Sequence, residues 1–350
     1  MTHVSTPVPA AGTPSAQARP RSFGRRVVAR PELSSLLGAV AVFVLFFVVA
    51  PPFREPASLS TVLYSSSTIG IVAVAVALLM IGGEFDLSAG VAVTTASLTA
   101  SMVAYELSLN VWAGVGASLV LALGIGFLNG YLVMRTKLPS FLITLSTFLM
   151  LQGLNLAVTK LVSGTVATDS IADMDGFASA KAVFSADIVI GGVAVKVTVF
   201  WWLAFVALAT WLLLRTRAGN WIQAVGGQAD SARAVGVPVK RTKIGLFVTV
   251  GFGAWFVGMH QLFAFDSVQS GIGIGNELLY IAAAVIGGCL LTGGYGSAVG
   301  SAIGALIYGM TTQGIVYAGW NPDWLKFFVG ATLLLATLLN MWVRLRTSRR

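Results

Sequence analysis

Charge is what this chain has least of. Only 10% of its 350 residues are Asp, Glu, Lys or Arg, against 56% hydrophobic, and the mean hydropathy is +0.86. A soluble domain carries about 25% charged residues. So few charges cannot cover a globule of this size, which leaves lipid as the solvent for much of the surface. Cysteine is nearly missing as well. The single Cys289 excludes an internal disulfide and a cysteine-based metal site. The two histidines, His3 and His260, lie too far apart in sequence to read as a ligand pair.

Catalytic motifs are also missing. There is no G-x-x-x-x-G-K-[ST] to cradle phosphate, no H-E-x-x-H and no G-x-S-x-G. Gly271-Ile272-Gly273-Ile274-Gly275-Asn276 imitates a dinucleotide fingerprint, but Asn276 stands where the last glycine belongs, and no strand-to-helix setting surrounds it. His260 and Gln261 form a lone polar pair late in an apolar run, which suits an interhelical hydrogen bond better than catalysis. The chain is not expected to be an enzyme, and no cofactor is expected on it.

What the chain does have is long apolar runs. A helix needs roughly 20 apolar residues to cross a bilayer. Ten candidate spans satisfy or approach this: 33–53, 59–81, 88–106, 110–134, 139–160, 197–214, 244–265, 278–292, 298–319 and 324–343. The expected fold is therefore all-α and polytopic, with some helices broken. Residues 1–32, rich in Pro, Ala, Ser, Thr and Arg, read as a disordered tail and not as a signal peptide. The spans fill 33–343, and 344–350 form a basic tail.

Ten crossings put both ends on one side. With that side cytoplasmic, 17 of the 22 Lys and Arg fall inside, among them Arg135, Lys137, Arg215, Arg217, Lys240, Arg241 and Lys243. This asymmetry follows the positive-inside rule. It makes 215–243 a cytoplasmic loop and 161–196 the longest extracytoplasmic one.

Glycine is abundant, at 39 residues. Gly296, Gly300 and Gly304, and also Gly126 with Gly130, have the spacing of close helix packing. Gly82-Gly83-Glu84-Phe85-Asp86-Leu87-Ser88-Ala89-Gly90 and Gly293-Gly294-Tyr295-Gly296 instead interrupt apolar runs, as in transporters with unwound helices. Glu84 and Asp86 are the only acidic residues between Glu55 and Glu106. An acidic residue at membrane depth is functional by default. Asp86 reads either as the N-cap of the following helix or as part of a polar pathway, and the two roles are compatible.

Three segments together resemble a known family. Residues 82–90, GGEFDLSAG, resemble the G-G-I-D-L-S-V-G signature of the permeases of ribose-type (monosaccharide) ABC importers. Residues 224–241, AVGGQADSARAVGVPVKR, resemble their cytoplasmic A-I-G-G-N-x-x-A-A-R-x-x-G-I-x-V segment. Residues 281–304, IAAAVIGGCLLTGGYGSAVGSAIG, resemble their I-A-A-V-V-I-G-G-T-S-L-x-G-G-x-G stretch. The resemblance runs from about residue 59 to 343. Glu84-Phe85 stands where the family has one residue, Gln228 replaces Asn and Cys289 replaces Thr.

The resemblance implies a type II ABC importer-like permease moving a monosaccharide or similar small polar solute by alternating access. It implies a separate ATPase subunit that binds ATP and Mg, an extracytoplasmic solute-binding protein and a second permease copy or paralogue. It maps ATPase coupling onto Gly226, Gly227, Ala232, Arg233 and Gly236, on a short helix through 228–235 with glycine turns at either end. Gly83, Glu84, Asp86, Ser88, Gly293 and Gly294 are the expected pathway or helix breaks. Thr94, Asn129, Thr144, Gln152 and Asn155, with Ser88, are the expected solute-lining residues. The competing readings are an ion-gradient-driven secondary transporter, which needs carboxylates or unwound carbonyls at the midplane, and a membrane scaffold or enzyme.

Overall fold

In a computed structural model the described residues, 31–348, form thirteen α-helices and one β-hairpin. The tail expected over 1–32 lies outside them up to residue 30. The helices are α1 (Pro31–Val49), α2 (Pro56–Ile81), α3 (Ala89–Glu106), α4 (Val111–Thr136), α5 (Ser140–Ser163), α6 (Phe177–Phe184), α7 (Val197–Arg215), α8 (Arg217–Gly227), α9 (Ala229–Ala234), α10 (Val239–Phe265), α11 (Asn276–Ile286), α12 (Ala298–Tyr317) and α13 (Leu325–Ser348). Strands β1 (Asp187–Ile190) and β2 (Val193–Lys196) pair antiparallel between α6 and α7.

Among the described residues, α2, α4, α5, α7, α10 and α12 are long and apolar enough to cross a membrane. The other expected spans have different forms. α1 is a helix of 19 residues, and α11, Asn276–Ile286, is a short apolar helix. α3 carries five Ser and Thr among its 18 residues. The span expected at 278–292 is an 11-residue helix that stops at Gly287, followed by irregular backbone to Ser297. At about 1.5 Å per residue it covers only about 16 Å. The basic tail expected at 344–350 continues α13 as far as Ser348.

The core runs through the middle of the sheaf. Every residue of α2 from Ile69 to Ile81 is buried, as expected of a helix that is apolar all round. α10 crosses beside it, and α3, α4, α11 and α12 close around the pair. Close approach rests on small residues. A side chain at Gly126 would strike the Phe247 carbonyl of α10, and one at Gly300 or Gly304 would strike the Gly287 or Ala283 carbonyl of α11. Gly296 is not part of that helical face. It precedes α12 and abuts Cys289 and Ile81.

The long loop 161–196 is structured. Phe177, Ala180 and Phe184 of α6 are buried, and Phe184 packs against Trp255, Phe256 and Phe263 of α10. Lys196 pairs with Asp187 at 2.7 Å across the hairpin. Backbone bonds from Thr168 to Val268 (3.0 Å) and from Ser270 to Val166 (2.9 Å) tie the loop to the end of α10.

Candidate functional site

Two interrupted spans meet the α8–α9 pair at one end of the helix sheaf. α2 ends at Ile81, and residues 82–88 run as irregular backbone to α3. Gly294 N–H donates to the Ile81 carbonyl at 2.8 Å, so the break after α11 pairs with the break after α2. Gly226, near the end of α8, sits against both. A side chain there would overlap the Ile81 carbonyl and come within 2.6 Å of Gly294 N. One at Gly293 would come within 2.7 Å of Gly83 Cα and 2.8 Å of the Gly226 carbonyl. Gly83, Gly293 and Gly294 all have φ between +75° and +81°, a region that penalises any Cβ. Backbone therefore touches backbone where the three family-like segments converge.

The α8–α9 segment departs locally from the short helix with glycine turns at both ends. Gly226 and Gly227 close α8 in helical conformation, and the turn before α9 falls at Gln228 (φ −158°, ψ 100°). Only Gly236, at φ +87°, makes the expected glycine turn. Ala232 does not face outward. It is buried between Val225 and Val239. The exposed residues of α9 are Asp230, Ser231, Arg233 and Ala234, followed by Val235 at its C-cap. Arg233 is 61% exposed in its ion pair with Asp230 (3.0 Å), and Val235 is 81% exposed. Lys240, Arg241 and Lys243, expected in the loop, occupy the first turns of α10.

The segment 82–88 is pinned on its other side by α4 and α5. Ser140 Oγ accepts from Phe85 N (3.0 Å), and Thr144 Oγ1 accepts from Leu87 N (3.1 Å). Asp86 Oδ1 accepts from Ser88 N (2.8 Å) and Ser88 Oγ (2.6 Å). Asn129 donates to Ser88 Oγ at 2.9 Å and accepts from Thr147 Oγ1 at 2.7 Å. Asp86 thus holds the N-cap residue Ser88, not the helix N–H groups beyond it, as an N-cap would. Glu84 is ion-paired with Lys243 of α10. The extra residue in this motif therefore carries a carboxylate neutralised from the start of α10.

The residues expected to line a path are enclosed here. Thr94, Asn129, Thr144 and Asn155 are all buried, and Asn155 accepts from Thr95 Oγ1 at 3.0 Å. Thr94 Oγ1 has no hydrogen-bond partner among the described residues. It lies beside Gly273, in the stretch that leads into α11. A side chain at Gly90 would reach within 2.6 Å of the Gly273 carbonyl and 2.9 Å of Glu277 N. Glu277 accepts from Gly275 N at 3.1 Å, so a carboxylate caps the short helix beside the start of α3. Irregular backbone of this kind is tolerated at membrane depth only where protein or a polar cavity receives it.

The sequence reading missed Lys243, Thr147, Ser140 and Glu277. The last carried a signal, being an acidic residue directly after a glycine-rich break. The other three become visible only through partners that are distant in the chain.

Spans interrupted in pairs and a short amphipathic helix pair at one face define a multi-pass membrane protein built on broken helices. The family described as "Branched-chain amino acid transport system / permease component" matches residues 58–337. The ribose import permease protein RbsC of Escherichia coli (strain K12) is 31% identical over 322 residues, covering 91% of this chain and 97% of that protein. The fructose import permease protein FrcC of Rhizobium meliloti is 28% identical, over 90% of this chain and 86% of its own length. The galactose/methyl galactoside import permease protein MglC of E. coli (strain K12) is 29% identical, over 87% and 93%. No solved structure matches the chain. The chain belongs to this family of transport-system permease components.

Proposed function

We propose that the chain is the permease subunit of an ATP-driven importer for a monosaccharide or similar hydroxyl-rich solute. The observation that carries the proposal is the glycine junction. Gly226 of α8 touches Ile81 and Gly294, so a push on α8–α9 reaches both broken spans directly. Such a junction suits a protein driven by a separate ATPase seated on the exposed face of α9. Arg233 and Val235 are the residues offered to it, through charge-assisted bonding and apolar contact. Ala232 and Gly236 shape that helix from within. The 17 of 22 basic residues that fall on one side support a cytoplasmic location for α8–α9 and both termini. An extracytoplasmic binding protein and a second permease copy or paralogue complete the assembly.

A hydroxyl-rich cargo fits the chemistry beside the breaks. Ser88, Thr94, Thr95, Asn129, Thr144 and Asn155 offer neutral donors and acceptors, and Glu84 is already neutralised by Lys243. A zwitterionic amino acid would ask for a fixed charge pair, whereas a sugar asks for hydrogen bonds. The relatives named for ribose, fructose and galactose point the same way.

The test is uptake by proteoliposomes holding the chain with its ATPase and binding protein, offered labelled pentoses, hexoses and leucine. ATP-dependent uptake of a sugar, insensitive to ionophores, is expected. Uptake that persists without ATP and collapses with the ion gradient makes the chain a secondary transporter. Leucine uptake alone overturns the cargo class. A cysteine at Ser231 should be labelled by an impermeant maleimide only in inside-out vesicles.

A further inference from the structure

A continuous groove runs along α2 between α7 and α10, outside the broken-span junction. Its larger part is a cleft of about 500 Å³ with Val74, Ala75 and Leu78 of α2 on the floor. Phe205 and Leu208 of α7 line one side and Phe252 and Phe256 of α10 the other, with Phe205 packed on both α10 rings at 5.8 and 5.3 Å between centroids. Phe184, at the end of α6, closes it at the far end. The cleft is lined almost wholly by apolar atoms. At Leu78, Leu212 and Thr249 it opens into a second cavity of about 350 Å³. That mouth is bounded by Trp221 of α8 and by Arg241, Thr242 and Gly245 of α10.

The two halves differ in chemistry as the two ends of a phospholipid do. Arg241 is exposed and has no ion pair among the described residues. The Trp221 indole N–H likewise has no hydrogen bond there, and no carboxylate lines the mouth. α8 is a short amphipathic helix with a tryptophan at its edge, the pattern of an element lying in the headgroup layer. From Gly245 to Phe256 α10 rises about 16 Å. One leaflet of a hydrocarbon core of about 30 Å is about 15 Å deep. Measured along α10 the groove is about one leaflet long, basic at the α8 end and closed at the other by Phe184.

We infer that this groove is a binding site for one anionic glycerophospholipid of the leaflet that faces α8–α9. An acyl chain lies between α7 and α10, and the headgroup phosphate accepts from Arg241 and the Trp221 indole. A bound lipid fills the space between α7 and the core and fixes where α8 leaves the membrane. A second copy of the chain is a poorer fit, because a slot between two helix walls takes a narrow chain and not a flat helix face.

The test uses the full chain in nanodiscs of phosphatidylcholine titrated with phosphatidylglycerol carrying brominated acyl chains. Trp221 emission is taken as the difference between the native chain and Trp221→Phe. The expected result is saturable quenching, half-complete at a brominated phosphatidylglycerol fraction about fivefold below that needed with brominated phosphatidylcholine, the preference one basic residue confers. Arg241→Gln should abolish the preference, and Ala204→Phe, which fills the cleft, should abolish saturation. Both should leave the thermal transition in detergent unchanged. Equal quenching by the two lipids, or a preference that survives Arg241→Gln, overturns the inference. So does loss of the preference in millimolar inorganic phosphate, which marks a free-anion site. Disulfide-linked dimers from Ala204→Cys would assign the groove to a subunit interface.

Discussion

The two ends of α10 are held in place by opposite means. At the α8–α9 end the neighbouring segments meet backbone to backbone through Gly226, Gly293, Gly294 and Gly83, with the Glu84–Lys243 ion pair beside them. At the other end the contacts are side chains. His260 is wholly buried, with Nδ1 2.8 Å from both the Phe184 carbonyl and Thr198 Oγ1, and Nε2 3.0 Å from Tyr64 Oη. The carbonyl can only accept, so Nδ1 carries the proton and Nε2 accepts from the tyrosine. Around this hub Phe184 stacks on Phe263 at 5.8 Å, and Trp255 and Phe256 pack edge-on to it. Large rings lock their elements in one arrangement, because packed cores deform in steps and not continuously. Glycine surfaces have no knobs to interlock, so they tolerate sliding but no added atom. The aromatic end is built for anchorage, and the glycine end is the one whose packing admits sliding.

Four substitutions test that contrast, from the largest expected effect to the smallest. Gly226→Val drives methyl groups into the backbone of Ile81 and Gly294, which cannot rotate away. It should cost about 4 kcal/mol and abolish uptake, read as a lower thermal transition in detergent and loss of substrate accumulation. His260→Ala leaves Tyr64 without its partner, reduces Thr198 and the Phe184 carbonyl to their long 3.4 Å bond with each other, and opens a cavity. A loss of about 3 kcal/mol is expected, with per-molecule uptake kept by the fraction that stays folded. If this variant instead folds normally and loses coupling, the anchoring role is wrong. Lys243→Met strands the Glu84 carboxylate and should cost about 2 kcal/mol, most of it restored in Lys243→Met/Glu84→Gln, as a double-mutant cycle would report. Gly227→Ala is the control. Nothing lies within 4 Å of the added methyl, so stability should move by less than about 0.5 kcal/mol and uptake should be unchanged. A large effect there would mean that the face of Gly227 is covered in the working assembly.

Much of the site was legible in the chain, for reasons particular to each element. The glycine pair at 82–83 marked the end of α2, and the pair at 293–294 lies in the irregular stretch that begins earlier, at Gly287. His260 and Gln261 read as interhelical hydrogen-bond partners, and His260 does bond to three other elements; Gln261 Oε1 has no partner among the described residues. The orientation of Ala232 was not legible, since alanine suits a helix interior and a docking face equally. Neither was the difference between core and shell. α2 and α4 have the same hydropathy of 2.1, yet 78% of one window and 33% of the other is buried. In lipid both environments are apolar, so hydropathy cannot tell a central helix from a peripheral one.

Composition alone determined that this chain is a many-helix membrane protein, and charge placement that a basic segment separates two of its apolar runs, because both are set by what lipid will solvate. Which glycines touch, which carboxylate Lys243 neutralises and where α7 stands away from α10 to leave a groove were decided by tertiary structure. Each of these depends on contacts between residues far apart in the chain, and local pattern carries no information about such distances.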